Sequence, residues 1–221
     1  NLAYEAWSDG KAPGIGPMGN VLQPGFFDTN AHSWGMFGAV RGIDRLLSIV
    51  DRQGIKSSVM VNGVLAERYP ESVKRIHEQG HEIVPHSWGM DVIPVYLDEA
   101  AERANLRRTR EALAKASGST AVGWISPRGT GSMLTQGMLA QEGFLWHGDC
   151  NDDDLPYVLD FDGRRIVLSS GPANGVHQER AFVGVRHDEI GLVGRSGEID
   201  DSALARFRHD DQRLFRMRGL L

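Results

Sequence analysis

Between residues 43 and 150 apolar strand-like runs alternate with helix-like segments over short connections, and this alternation argues for parallel strands with right-handed crossovers. Residues 43–51 carry Ile43, Leu46, Leu47 and Val50 at helical spacing, with Gly54 as a stop. Residues 57–61 read as a buried strand. Residues 66–79 read as a helix with Val73 and Ile76 on one face, and Pro70 suits the first turn of a helix starting there. Gly80 ends that segment, and a short strand over residues 83–85 delivers His86. Asp98 caps a long amphipathic helix reaching about residue 116, closed by Gly118. A strand over residues 122–126, a helix over 135–141 and a strand over 144–147 follow, with one more strand over 165–168. Upstream, residues 2–7 read as a strand, followed by a Gly- and Pro-rich loop over residues 8–33 of the length that functional loops have.

The polar clusters all come just after strands. They are His86-Ser87-Trp88, then Ser126-Pro127-Arg128-Gly129, then Asp149 with Asp152, Asp153 and Asp154. In barrels and open α/β sheets the C-terminal strand ends converge on one face, so the three are expected to form one site. His86 suits acid–base chemistry or metal ligation, against the simpler role of a structural histidine. The acidic run packs four carboxylates into six positions, which raises some of their pKa values and suits a general base or an ion site; a solvated turn is the alternative. Arg128 suits a clamp on a substrate carbonyl or carboxylate, or a partner for the acidic run. Glu5, at the end of the first strand, supplies a further carboxylate. Trp7, Trp88, Trp124, Ser126 and His147, with the three aspartates 152–154, are the expected substrate-contacting set, although Trp124 and Trp146 sit where tryptophans more often serve the core.

A metal site needs partners at ligand spacing. Position 90, four beyond His86, is Met, a poor ligand for a hard or borderline cation, and His81 lies toward the opposite end of its strand. His32 and His147 have no diagnostic spacing. Gly14, Gly16 and Gly19 follow no clear strand and open no helix, which removes a dinucleotide site.

The 221 residues suit one domain, expected over residues 1–199, with a charged tail or short helix over 200–221. Hydrophobic content of 41% and charged content of 24% are those of a soluble globular chain. A net charge of −5 offers no basic field for nucleic acid or anionic lipid, and no apolar run reaches membrane-spanning length. A single cysteine, Cys150, rules out an intrachain disulfide framework and suits a reducing, cytoplasmic compartment. The start at Asn1, within a strand, leads us to expect residues upstream of it.

Taken together, Tyr4-Glu5-Ala6-Trp7, Gly80-His81-Glu82-Ile83 with His86, Gly123-Trp124-Ile125-Ser126-Pro127-Arg128, and Gly143-Phe144 through Asp152-Asp153-Asp154-Leu155-Pro156-Tyr157 resemble the polysaccharide deacetylase superfamily. Within it the chain is most similar to the allantoinase and cyclic-imide hydrolase branch, over about residues 1–168. The resemblance implies a distorted parallel β/α barrel and hydrolysis of a non-peptide carbon–nitrogen bond, in a cyclic amide or ureide or in a linear acetamide. For such a reaction the convergence of the strand-end clusters leads us to expect Glu5 or Asp149 as the base, His86 as proton donor and Arg128 on the substrate oxygen. The sugar deacetylases of the superfamily open with paired aspartates and place a second metal histidine after the first; Glu5-Ala6 and Met90 depart from both, and Ile125 alters the later arginine motif. No cofactor is therefore expected, with a divalent metal such as zinc as the alternative, in a metal-dependent amino-sugar N-deacetylase. A catalytically inactive, barrel-derived binding protein is a third reading. The tail after Leu168 is expected to leave the barrel truncated or incompletely closed. Residues 181–185, ending in Arg186-His187-Asp188, are similar to a final histidine motif, and a second subunit in a homo-oligomer would cover the exposed sheet.

Overall fold

The computed structural model describes residues 1–8, 22–23, 25–151 and 156–170. Strands β1 (Leu2–Tyr4), β2 (Ser58–Val61) and β3 (Glu82–Pro85) form a parallel sheet in that order. A second sheet holds β4 (Gly123–Trp124), β5 (Trp146–Cys150), β6 (Tyr157–Phe161) and β7 (Arg164–Ser170) in the order β4-β5-β7-β6. The two meet at β3 and β4, where the Ile125 N–H donates to the Pro85 carbonyl at 3.2 Å. From β1 to β5 the strands thus follow chain order around the wall of a distorted β/α barrel, as expected of crossover connections.

Six α-helices pack on this wall among the described residues: α1 (Thr29–Phe37), α2 (Ile43–Arg52), α3 (Gly63–Arg68), α4 (Pro70–Glu78), α5 (Glu99–Ser117) and α6 (Thr135–Gln141). Because successive strand residues face opposite sides, each strand feeds two cores. Tyr4, Val59, Val61 and Ile83 point to the helix side and pack with Ile43, Leu47, Leu65, Val73, Ile76 and Leu113. Trp124, Ile166 and Leu168 do the same against Leu106, Met138, Leu139 and Phe144. Their neighbours Val84, Ile125, Trp146 and Val167 gather on the other, inner face.

The helix signals in the sequence act where they stand. The Asp98 carboxylate accepts the Ala101 N–H at 2.8 Å, and Gly118 takes the left-handed conformation, φ 77°, that ends α5. Pro70 opens α4, but the expected helix over residues 66–79 is broken ahead of it: Tyr69 adopts φ −138° and ψ 58° because a residue before proline is driven out of the helical region. A helical turn absent from the expected loop runs from Thr29, capped by Asp28 onto the Ala31 N–H at 2.8 Å, and continues through a π segment, Gly38–Gly42, into α2. The sheet is not wholly parallel. β6 runs antiparallel to β7 across a two-residue turn at Asp162 and Gly163, both with positive φ, 54° and 81°. The aspartates 152–154, the motif at residues 186–188 and the tail over 200–221 lie outside the described residues, as does the chain beyond Ser170 on which the expected truncation of the barrel turns.

One buried side chain ties the first sheet together at its C-terminal edge. Asn62 follows β2, accepts the Ala6 N–H at 2.8 Å after β1, and donates Nδ2–H to the His86 carbonyl after β3. Replacing it strands a buried donor and a buried acceptor at once, each costly without water. Asn62→Ala is expected to lose about 2–4 kcal/mol of stability, read as a lower midpoint in urea unfolding at unchanged slope.

Candidate active site

The strand-end rule brings Glu5 and His86 together. Period-two alternation from Tyr4 and from Val84 places both on the inner face, and His86 Nε2 lies 3.7 Å from Glu5 Oε1. His86 is almost wholly buried, and its Nδ1 lies 2.6 Å from the Ile125 carbonyl oxygen. A carbonyl only accepts, so Nδ1 carries the proton and Nε2 presents its lone pair to Glu5. Burial pushes His86 down to about 4, against a smaller upward pull from the Ile125 bond, so the ring is neutral at pH 7. Burial also raises Glu5 above the usual carboxylate range. At 3.7 Å the two are not directly hydrogen-bonded, and both offer acceptor atoms to a polar hydrogen placed between them.

The turn after His86 is held in an unusual conformation. Ser87 has φ 56°, its carbonyl accepts the Gly63 N–H at 2.9 Å, and its hydroxyl accepts Asn105 Nδ2–H at 3.1 Å. Asn105 Oδ1 in turn accepts the Trp88 N–H at 2.9 Å. Trp88 itself turns into the helix-side core, with Arg108 stacked 3.4 Å over its ring and Gly63 beneath it, where an added Cβ would stand 2.7 Å from the indole. Packing, not substrate, occupies this ring. Asp91 accepts hydrogen bonds from both the backbone N–H and the hydroxyl of Ser8, and the Met90 N–H donates to the Ala6 carbonyl at 2.9 Å, so the β1 and β3 ends are stitched through their loops. Trp7, half-buried, lies in the same loop, and its carbonyl accepts from Arg68 at 2.9 Å.

Asp149 does not join Glu5 and His86. It lies on the helix side of β5, where Oδ1 accepts the Ser126 N–H and Oδ2 the Ser126 hydroxyl, both at 2.7 Å. Ser126 is fully buried, and its hydroxyl accepts Trp124 Nε1–H at 2.9 Å; Trp124 is a core residue, edge-on to Phe144, and steadies this network rather than stacking on a ligand. Glu102, buried on α5, accepts from Ser132 at 2.6 Å and from Thr135. Burial raises Asp149 to about 6; the two Ser126 bonds pull it down and the Glu102 charge pushes it up. His147 is fully buried beside it. Its Nδ1 accepts the Asp149 N–H at 3.4 Å, its Nε2 has no hydrogen-bond partner among the described residues, and burial holds it neutral, down to about 4. Arg128 is exposed at the turn after β4 with φ 62°, and among the described residues its guanidinium makes no ion pair or hydrogen bond.

Asn62, Asn105 and Glu102 were not among the expected site residues. Asn62 obeys the same rule that marks His86, a polar side chain directly after an apolar strand. Asn105 and Glu102 sit within the long helix α5, where nothing in the local pattern distinguishes a buried polar residue from a solvated one.

The sequence profile of the polysaccharide deacetylase family matches residues 27–145, over half of the chain. A curated peptidoglycan deacetylase of Helicobacter pylori is 26% identical over 159 residues, covering 72% of this chain and 52% of its own length. Among solved structures, the Puue allantoinase superposes with a TM-score of 0.66 at 25% identity, over 76% of this chain and 59% of that one. A probable polysaccharide deacetylase of Pseudomonas aeruginosa PAO1 gives a TM-score of 0.66 at 27% identity, with the same coverage of 76% and 59%. The chain thus spans between half and three fifths of the length of these relatives. Its barrel wall, its strand-end histidine and the matched profile make it a member of the polysaccharide deacetylase family.

Proposed function

We propose that the protein hydrolyses a non-peptide carbon–nitrogen bond in a cyclic amide or ureide, such as allantoin or a cyclic imide, with Glu5 and His86 as the acid–base pair. The carrying observation is the pair itself: a carboxylate and a neutral imidazole, oriented by the Ile125 carbonyl, face one another at 3.7 Å on the inner side of the strand ends. The likeness to the Puue allantoinase supports the cyclic substrate. Ionised Glu5 takes a proton from water as its oxygen adds to the substrate carbonyl carbon. Because His86 begins neutral with its Nε2 lone pair toward Glu5, it takes that proton from Glu5 and passes it to the nitrogen as the carbon–nitrogen bond breaks, which returns Glu5 to the carboxylate and His86 to the neutral ring. Arg128, exposed and unpaired among the described residues, is available to the substrate's carbonyl or ureide oxygen. The aspartates 152–154, outside the described residues, remain proposed contacts for substrate N–H groups. Of the two expected bases Glu5 is the better placed, since both Asp149 oxygens already accept hydrogen bonds on the opposite face.

A divalent metal such as zinc is the cofactor that family membership raises, and the residues do not fit a three-ligand centre. Met90 stands where a second histidine would, Ala6 follows Glu5, and among the described residues no three His, Cys, Asp or Glu side chains group around one point. The mechanism proposed above accordingly uses protein groups alone. A metal-dependent amino-sugar N-deacetylase is the second reading, supported by the peptidoglycan deacetylase relative. Stoichiometric metal in the purified protein, with chelator-sensitive release of acetate from N-acetylglucosamine oligomers, would favour it.

A lone, half-buried cysteine, Cys150, supports a reducing, cytoplasmic setting, and among the described residues no helix is long and apolar enough to cross a membrane. A homo-oligomer is supported by Trp34, Phe37, Val40, Leu46 and Ile49, all exposed along α1, the π segment and α2. Equilibrium sedimentation at micromolar concentration is expected to give a mass above that of one chain; a monomer would overturn this assignment.

Glu5→Gln and His86→Ala are each expected to lower kcat/KM on allantoin, hydantoin or succinimide by about 10²–10⁴-fold while leaving the fold intact. Parent-like rates in both variants would reject the pair. Glu5 must be ionised to act, and its pKa lies above the ordinary glutamate value. In wild type kcat/KM should therefore rise with pH through an acid limb above that value, and pH–rate profiles should show the limb flattened in Glu5→Gln.

A further inference from the structure

Asp149 and His86 lie on opposite faces of the wall, yet one planar group connects them. The Ile125 carbonyl accepts His86 Nδ1–H at 2.6 Å, and the Ser126 N–H donates to Asp149 Oδ1 at 2.7 Å. The carbonyl of residue 125 and the N–H of residue 126 belong to the same resonant amide. Negative charge at its N–H end draws the amide dipole out and makes its carbonyl a stronger acceptor, as in any hydrogen-bond chain. On the reading that His86 is the acid–base group, we propose that Asp149 is a positioning residue that controls His86 from the far side of the sheet: its carboxylate polarises the Ile125–Ser126 amide, holds the proton on Nδ1 and enriches the Nε2 lone pair that faces Glu5.

The surroundings are built for a one-sided connection. Asp149 Oδ2 is fixed by the Ser126 hydroxyl at 2.7 Å, which is itself fixed by Trp124 Nε1–H at 2.9 Å, so Oδ1 is held on the amide. The 125–126 amide is held at both ends by these bonds to His86 and Asp149, and the preceding peptide unit is fixed separately, where the Ile125 N–H donates to the Pro85 carbonyl at 3.2 Å. The groups around Asp149 are Glu102 from α5, whose oxygens are taken by Ser132 and Thr135, and neutral His147 from β5; the group facing His86 is Glu5 from β1. Among the described residues no cation stands against either end, so the amide is the path by which the Asp149 charge is felt at the ring.

Imidazole NMR on the full chain tests this, with the His86 signals assigned by their loss in His86→Gln. His86 stays neutral well below pH 6, whereas Asp149 titrates at about 6. In wild type the His86 Nδ1–H and ring nitrogen signals are therefore expected to move between pH 8 and pH 5, with a midpoint near 6, without ring protonation. Asp149→Asn keeps an acceptor on the Ser126 N–H but carries no charge, and should abolish the step. Ser126→Ala keeps the amide and should retain it, with the midpoint moved upward because the hydroxyl bond to the charged carboxylate is gone. Glu5→Gln should also retain it, which separates the step from Glu5 titration. No step in wild type, persistence in Asp149→Asn, or loss in Glu5→Gln or Ser126→Ala would overturn the proposal. If the step behaves as expected while the wild-type protein hydrolyses none of the candidate substrates, the coupling stands and the functional reading falls.

Discussion

Where the three parallel strands end, their backbone groups have no ladder to continue, and in this protein the Asn62 amide satisfies one on each side, the Ala6 N–H and the His86 carbonyl. A buried primary amide can donate and accept at once, which suits a junction where one neighbour offers an N–H and the other a carbonyl. Because its partners are the backbone of Ala6 and of His86, the amide fixes where both flanking turns begin. The position of Glu5 relative to His86 is thereby set by bonds to the main chain, not by a contact between the two side chains. Any account of the site rests on that junction.

Desolvation then sets the electrostatics. The wall buries His86 and His147 as neutral rings and lifts both Glu5 and Asp149 above their ordinary range. The inner face thus presents two groups that exchange protons without holding strong fixed charge, as the neutral amide substrate proposed above would require. The alternation of the strands divides the polar residues into an inner pair and an outer network. The Ile125–Ser126 amide is where the two halves touch.

Much of the architecture is legible in single residues. Asp98 and Gly118 mark the ends of α5, Pro70 marks the start of α4, and the apolar run before His86 marks β3, because each signal is local and physically forced. What escaped was decided elsewhere. Thr29 to Phe37 is rich in poor helix formers and is helical through its cap and its continuation into α2. The β6–β7 hairpin was legible in Asp162-Gly163 but lay beyond the stretch where helix and strand alternate. The strand-end rule placed Glu5, His86 and Ser126 just after strands, where they stand, whereas Asp149 lies within β5, which runs on to Cys150; the rule also does not say which face each presents, and a face depends on parity counted from the core. Trp88 and Trp124 show the same limit: proximity in sequence to polar residues is no guide to where a large ring turns.

The two left-handed residues at the strand ends, Ser87 and Arg128, carry a further consequence. Neither is glycine, so each conformation costs on the order of 1–3 kcal/mol and persists only because surrounding bonds over-determine it. Around Ser87 those bonds come from Gly63, Asn105 and Asn62. A turn held in this way has little room to relax when charge moves, so in the proposed reaction the dipoles around His86 would stay aligned while a proton is in transit. The free energy that a looser site would spend on rearranging itself during the reaction has been committed in advance, at folding.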